Sequence, residues 1–398
     1  MKILLLSFYH PPDLSAGSFR VAALIKALNE RLPAEAELDV ITTQPNRYAS
    51  FSLNAPTVER IGRVTFHRVT LPPHRSGIID QSRAFAAYLR GVWTITRRKQ
   101  YDLVAATSSR LMTAALAAGL SATKRAPLYL DLRDIFVDTI NDLFPGWIAG
   151  LSVGPFSIVE RLTIGRATVV NLVSGGFEPY FARRYPRKRF TFHTNGIDEE
   201  FLGLPAGRPS DREGRPLTVL YAGNIGEGQG LHLILPGLAL RLAAKVQFRI
   251  LGDGGRHDIL QYELAKQNVT NVEVLPPVPR RTLLDEYARA DVLFLHLNDV
   301  EAFKKVLPSK LFEYAATGKP IWAGMQGYSA DFASEYISNV ALFAPCDAEG
   351  ALRSFKTLDL TPIARTEFIK KFDRRAIMAS MADDIVGIIE NEDAELAF

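Results

Sequence analysis

Residues 305–324, KVLPSKLFEYAATGKPIWAG, constrain the fold more than any other stretch of the chain. The apolar run Val292–Leu297 before them has the length and composition of a buried parallel strand. A short helix is expected from Ser309 to Ala316, with Gly318 as its stop and Pro320 just beyond. Pro320–Ala323 then reads as the next strand. Strand, loop, helix and strand make half of a doubly wound α/β sheet, whose ligands lie outside the carboxyl ends of the strands. The start of the helix therefore faces the expected ligand position.

The chemistry of that start suits a nucleoside diphosphate. Pro308 and Ser309 are favoured at a helix N-terminus, where unpaired amides and the helix dipole attract an anion. Lys310 adds a full positive charge. Glu313 lies one turn on, and helical side chains lean back toward the N-terminus, so its carboxylate returns to the same place. A carboxylate repels phosphate but accepts hydrogen bonds from a vicinal diol, as a ribose presents. The same pattern also fits a capped surface helix carrying a Lys310–Glu313 ion pair.

The segment resembles the C-terminal nucleotide-sugar motif of the retaining family-four glycosyltransferases, in particular bacterial enzymes of O-antigen and capsule synthesis. In that family two glutamates eight positions apart frame the motif, and the second reads the ribose. Glu313, in EYAATGKP, matches the second; Lys305 stands where the first would be. The resemblance implies an α/β GT-B fold of two Rossmann-like doubly wound domains facing a central cleft. It places donor contacts at Lys305, Leu307, Pro308, Ser309 and Glu313.

Length and composition agree with two full domains: 398 residues, 47% of them hydrophobic. No run of about 18 apolar residues lacks a charge, so a spanning helix is not expected. The start, Met1–His10, reads as a first strand rather than a signal peptide. A single cysteine, Cys346, excludes an intrachain disulfide and a cysteine zinc site, and fits a reducing cytoplasm. Charge is uneven. Residues 1–200 carry 25 Lys and Arg against 17 Asp and Glu, and residues 201–398 carry 22 against 26. The basic half is the one expected to meet a polyanion: an anionic membrane, a lipid-linked diphosphate or nucleic acid.

Taken in order, strand Ile3–Phe8 enters a small-residue loop and then a helix with Val21, Leu24, Ile25 and Leu28 on one face. The loop lacks G-x-G-x-x-G spacing, but Gly17 could bring backbone close to a phosphate, with Arg20 one turn in. Its position and shape are similar to the family's glycine-rich loop. Leu38–Thr42, Leu103–Ala106 and Thr168–Val173 are further strands, and Asp80–Arg98 is a helix ending in Arg97, Arg98 and Lys99. The strand from Pro127 ends in Asp131, Arg133 and Asp134, charges at a strand end where acceptor contacts or an Asp–Arg pair are both expected. Trp147–Ile164 combines bulky apolar residues with Glu160 and Arg161, as an interdomain helix or a membrane-facing one would. Arg183–Arg189 is the densest basic cluster and reads as a contact to anionic lipid rather than nucleic acid.

Asn195-Gly196 and the polar stretch 203–216 mark a boundary. The expected domains are residues 1–196, for the acceptor, and 217–375, for the nucleotide-sugar, joined by a linker at 197–216. A helix is predicted over Ile377–Glu390, and the resemblance implies that 376–398 returns to the first domain. The second domain opens with strand Leu217–Tyr221 and the loop Ala222–Gly230, whose four glycines allow close approach of backbone to a pyrophosphate. The family sets an arginine after the first glycine and a lysine before the last; Asn224 and Gln229 stand there. Gly223, Gly252 at the end of strand Phe248–Gly252, and Pro277 after strand Val272–Leu275 complete the donor positions, and Leu283, Leu284 and Tyr287 are expected in the core.

The resemblance implies a metal-independent, retaining transferase that uses a UDP-sugar and has no cofactor. Its acceptor would be a lipid-linked (polyprenyl diphosphate) glycan, on the cytoplasmic face of the inner membrane. Asp131, Arg133 and Lys310 are the catalytic candidates: one orients the acceptor hydroxyl and the cations stabilise the leaving diphosphate. A non-catalytic sugar-nucleotide or lipid-binding protein and a nucleotide-sugar 2-epimerase are the alternatives.

Overall fold

The computed structural model describes all residues except 14, 46–54, 73–77, 109, 138–145, 203–213 and 397–398. The chain forms two compact units, Met1–Asn195 with Arg374–Phe398, and Gly196–Asp373. Most of the polar stretch 203–216 lies outside the described residues.

The first unit is built on an eight-stranded sheet: β1 (Lys2–Ser7), β2 (Glu37–Thr43), β3 (Val58–Ile61), β4 (Val64–Val69), β5 (Leu103–Ser108), β6 (Leu128–Leu132), β7 (Val169–Leu172) and β8 (Arg189–Thr191). Their order is β3-β4-β2-β1-β5-β6-β7-β8. Among the described residues only β3 runs antiparallel, against β4. Strands β1, β5, β6 and β7 are largely apolar, and every residue of β2 but Glu37 is buried, as in strands covered on both faces. The helices are α1 (Ala16–Arg31), α2 (Ile78–Thr96), α3 (Leu111–Lys124), α4 (Gly146–Arg166) and α5 (Glu178–Arg184). The cluster Arg183–Arg189 is divided between the last turn of α5 and the start of β8.

The second unit has six parallel strands, β9 (Leu217–Asn224), β10 (Val246–Asp253), β11 (Val272–Leu275), β12 (Val292–His296), β13 (Ile321–Gly324) and β14 (Val340–Phe343). They are ordered β11-β10-β9-β12-β13-β14. Chain order therefore reverses between β9 and β12, which is where a doubly wound sheet opens its ligand crevice. Around the sheet lie α6 (Leu231–Arg241), α7 (His257–Lys266), α8 (Arg280–Arg289), α9 (Ser309–Ala316), α10 (Tyr328–Tyr336), α11 (Ala348–Thr357) and α12 (Thr366–Lys371). On α8 the interior takes Glu286 and Tyr287, while Leu283 and Leu284 are only half-buried. The buried Glu286 is held by Arg249 of β10, so an ion pair occupies a place that an apolar pattern assigns to leucine.

The last helix, α13 (Arg374–Leu396), belongs to the first unit. Its Met378, Met381, Ala382, Ile385, Ile388 and Ile389 are buried with Val21, Leu24 and Leu28 of α1 in one core. The i, i+3, i+4 and i+7 spacing of those residues makes the stripe that docks. No helix among the described residues is long and apolar enough to cross a membrane.

Candidate functional site

In the second unit the loops after β9 and β12 converge at the switch point between these neighbouring strands. Gly223 and Gly252 face each other in register on β9 and β10. A Cβ on Gly252 would stand 1.8 Å from the Gly223 carbonyl oxygen, so this glycine is required by the strand pairing. A Cβ on Gly223 would stand 3.3 Å from Lys310 Cε, which brings the first glycine of the loop under the lysine of α9.

Asn224 and Gln229, at the positions where cations were expected, bond each other: Asn224 Nδ2 donates to Gln229 Oε1 at 2.7 Å. The Gly226 amide donates to the same oxygen at 3.3 Å. These side chains thus shape the loop and offer no charge to a phosphate. Lys310 remains as a cation beside it.

Helix α9 starts after Pro308, which has no side-chain cap, and the amides of Ser309 and Lys310 bond no protein acceptor among the described residues. Glu313 is 7% exposed. Its Oε2 accepts from Tyr287 Oη at 3.0 Å and from Lys310 Nζ at 3.1 Å. Burial, and then the Glu313 charge, push the Tyr287 hydroxyl well above the usual tyrosine range, so it stays a donor. Arg280 of α8, paired with Asp198, adds positive potential toward Glu313. Sequence reasoning missed Tyr287 and Arg280 as partners of the site. The only available signal was a tyrosine on the apolar face of α8, which looks like core.

Other donor candidates are placed differently. Leu307 is 2% exposed, so its side chain packs in the interior and only its backbone can face a ligand. Lys305 is half-buried at the end of the 3₁₀ turn Glu301–Lys305. Pro277 follows β11, two strands away from β9.

In the first unit the expected site divides in two. Asp131 and Arg20 are each 1% exposed and saturated by protein. Arg20 Nε and Nη2 each meet an Asp131 oxygen at 2.8 Å, and Nη1 and Nη2 reach the Thr194 and His193 carbonyls at 2.6 and 2.7 Å. Thr107 and Asn171 donate to the same carboxylate at 2.8 and 2.7 Å. Burial raises the Asp131 pKa, but Arg20 and these hydrogen bonds outweigh it and hold the carboxyl below its usual range. The pair braces the interior, with its hydrogen bonds taken up by protein.

Arg133 and Gly17 are together at a small polar pocket that also takes in Ser7, Ser108, Arg110 and Thr113. It lies where β1 and β5 adjoin, the switch point of this sheet. A Cβ on Gly17 would fall 2.1 Å from Arg133 Nη1, so the guanidinium rests on the glycine. Arg110, which the sequence did not single out, donates to Tyr9 Oη at 2.8 Å and lies 4.4 Å from the centre of the Phe8 ring. Burial raises Asp134 to about 6, against the opposing effect of Arg133.

Residues 17–196 match the family described as "Glycosyl transferase 4-like domain", and residues 208–374 match "Glycosyl transferases group 1". No curated protein matches the chain in sequence. Among solved structures, sucrose-phosphate synthase from Thermosynechococcus elongatus is similar over 98% of this chain and 100% of its own, with TM-score 0.77 and 15% identity. HepE of Anabaena, in complex with UDP and glucose, is similar over 100% and 99%, with TM-score 0.61 and 17% identity. The α,α-trehalose 6-phosphate synthase from Burkholderia multivorans is similar over 99% and 98%, with TM-score 0.68 and 14% identity. Two consecutive domain matches on two doubly wound sheets make this chain a family-four glycosyltransferase of GT-B fold.

Proposed function

We propose that this glycosyltransferase moves a sugar from a UDP-sugar to a lipid-linked, polyprenyl diphosphate glycan, with retention, in bacterial surface polysaccharide synthesis. One observation carries the donor half: an uncapped helix N-terminus with Lys310 and a buried, tyrosine-braced Glu313 stands at the switch point of a six-stranded parallel sheet. The open amides and Lys310 suit a diphosphate, and Glu313 suits the ribose diol. The UDP held by HepE in a similar fold supports the choice of nucleotide. Lys310 and the amides stabilise the departing UDP, so transfer proceeds without a divalent metal. Retention follows from the resemblance and is read as same-face attack assisted by the leaving phosphate, which leaves no protein nucleophile to name.

The acceptor half rests on the first unit. Arg133 beside Gly17 offers positive charge to an acceptor phosphate. Exposed pairs one turn apart, Leu89 with Trp93 on α2 and Ile158 with Leu162 on α4, suit the surface of a membrane. Together with the basic excess of the first half they support a peripheral place on the cytoplasmic face of the inner membrane.

The test is thermal stabilisation by UDP, GDP, dTDP and ADP, without and with divalent metal, followed by UDP release in the presence of a polyprenyl diphosphate glycan. A response to UDP that metal does not alter, with release only when acceptor is added, is expected. No response to any nucleotide would overturn the donor reading. UDP-sugar conversion without acceptor would favour an epimerase, and binding without either reaction a non-catalytic protein.

A further inference from the structure

His296 closes β12 at the switch point and is 1% exposed. Its ring runs nearly parallel to those of Phe294 and Phe343, with centroids 6.3 and 6.1 Å away and interplanar angles of 11° and 28°. Gly324, its register partner on β13, makes room for it: a Cβ there would stand 2.3 Å from His296 Cδ2. Nε2 is 3.0 Å from the Cys346 amide, which can only donate. Nε2 must therefore accept, the proton sits on Nδ1, and Nδ1 donates to the Gln229 carbonyl at 2.6 Å. Burial, opposed by that carbonyl, lowers the imidazole pKa to about 4, which keeps this neutral form at physiological pH.

Asn298 works beside it. Its amide donates to the Gly228 carbonyl at 2.9 Å, and Nδ2 donates to the Glu227 carbonyl at 3.0 Å. Three successive carbonyls of the glycine-rich loop, at 227, 228 and 229, are thus held by the end of one strand. Because each peptide is planar, fixing the Gln229 carbonyl fixes the plane that leads into Gly230. Gly230 is the left-handed N-cap of α6 (φ 58°, ψ 22°), set 3.1 Å from Asn298 Cγ if a Cβ is added. The amides of Leu231 and His232 beyond it bond no protein acceptor among the described residues.

We infer that His296 and Asn298 are the positioning residues of the donor loop, clamping its carbonyls so that the start of α6 presents its amides to the distal phosphate of the nucleoside diphosphate. The inference rests on the donor reading above. It gives the loop a way to hold a diphosphate although Asn224 and Gln229 bring no charge: the backbone is pre-set instead.

The experiment compares UDP with UMP by calorimetry on the full chain, with thermal melts of each variant alongside. UMP shares base, ribose and first phosphate, so the UDP-to-UMP affinity ratio isolates the distal phosphate. His296→Phe keeps the stacking and removes both hydrogen bonds; it should cut the ratio about tenfold, the worth of one or two lost hydrogen-bond constraints. His296→Asn places an amide donor where Nδ1 sits and should retain most of the ratio. His296→Gln reaches toward Cys346 instead and should not. Should the Phe variant fail to fold, the Asn and Gln pair decides. Folded Asn and Gln variants that both keep the wild-type ratio would overturn the clamp while leaving the donor reading intact. A wild-type chain that binds neither UDP nor UMP would remove the donor reading, and the clamp with it.

Discussion

At the scale of the residue, Asp131 and Arg20 hold opposite charges where neither meets water. Such a pair costs desolvation, and breaking it leaves one charge buried alone, which typically costs about 3–5 kcal/mol. Arg20→Ala is expected to lower unfolding stability by about that amount in urea titrations. The pH dependence has a definite sign. The folded pKa of Asp131 lies below its unfolded value, so its contribution is complete above the unfolded value of about 4 and is lost as pH falls toward the folded one. Asp131→Asn should therefore flatten the acid side of the stability curve. Glu313 makes a different claim. Glu313→Ala should weaken UDP about ten- to hundredfold in calorimetry with the melting transition retained, as loss of charged hydrogen bonds to a diol implies. Unchanged UDP affinity would remove the ribose role.

At the scale of the element, the glycines at the carboxyl ends of β9 and β10 carry the site because backbone must approach backbone there. The Cβ of Gly252→Ala would meet the Gly223 carbonyl, and neither strand can yield without opening the pair. Overpacking of this kind costs about 1–3 kcal/mol. A lower melting temperature together with weaker UDP stabilisation is expected. A variant that melts and binds as wild type would show that the strands part freely. Helix α9 was legible in the sequence from Ser309 to Ala316 because Pro308 and Gly318 punctuate it locally. Strand β9 runs three residues past Tyr221, to Asn224, because pairing with β10 continues through Gly223 and Asn224; no local propensity reports that.

At the scale of the whole molecule, the positive excess sits in residues 1–200, with Arg97, Arg98 and Lys99 following the exposed Leu89 and Trp93 of α2. Sedimentation with vesicles should show binding that needs anionic lipid and falls between about 50 and 500 mM salt, as screening shortens. Binding to neutral vesicles, or none to anionic ones, would refute the membrane surface reading. The pair of doubly wound sheets was implied by the family resemblance; the residues by themselves determined the buried strand before Ser309, the helix there and the grouping of Lys310 with Glu313. Those follow from apolar runs, helix punctuation and the 3.6-residue turn, all of them properties of neighbours in the chain. Only the tertiary structure decided that Arg20 and Asp131 neutralise each other, that Tyr287 braces Glu313, and that His296 holds Gln229. Each of those pairs is separated by 26 residues or more, and a side chain's role as ligand, brace or clamp depends on which partner the fold brings within about 3 Å.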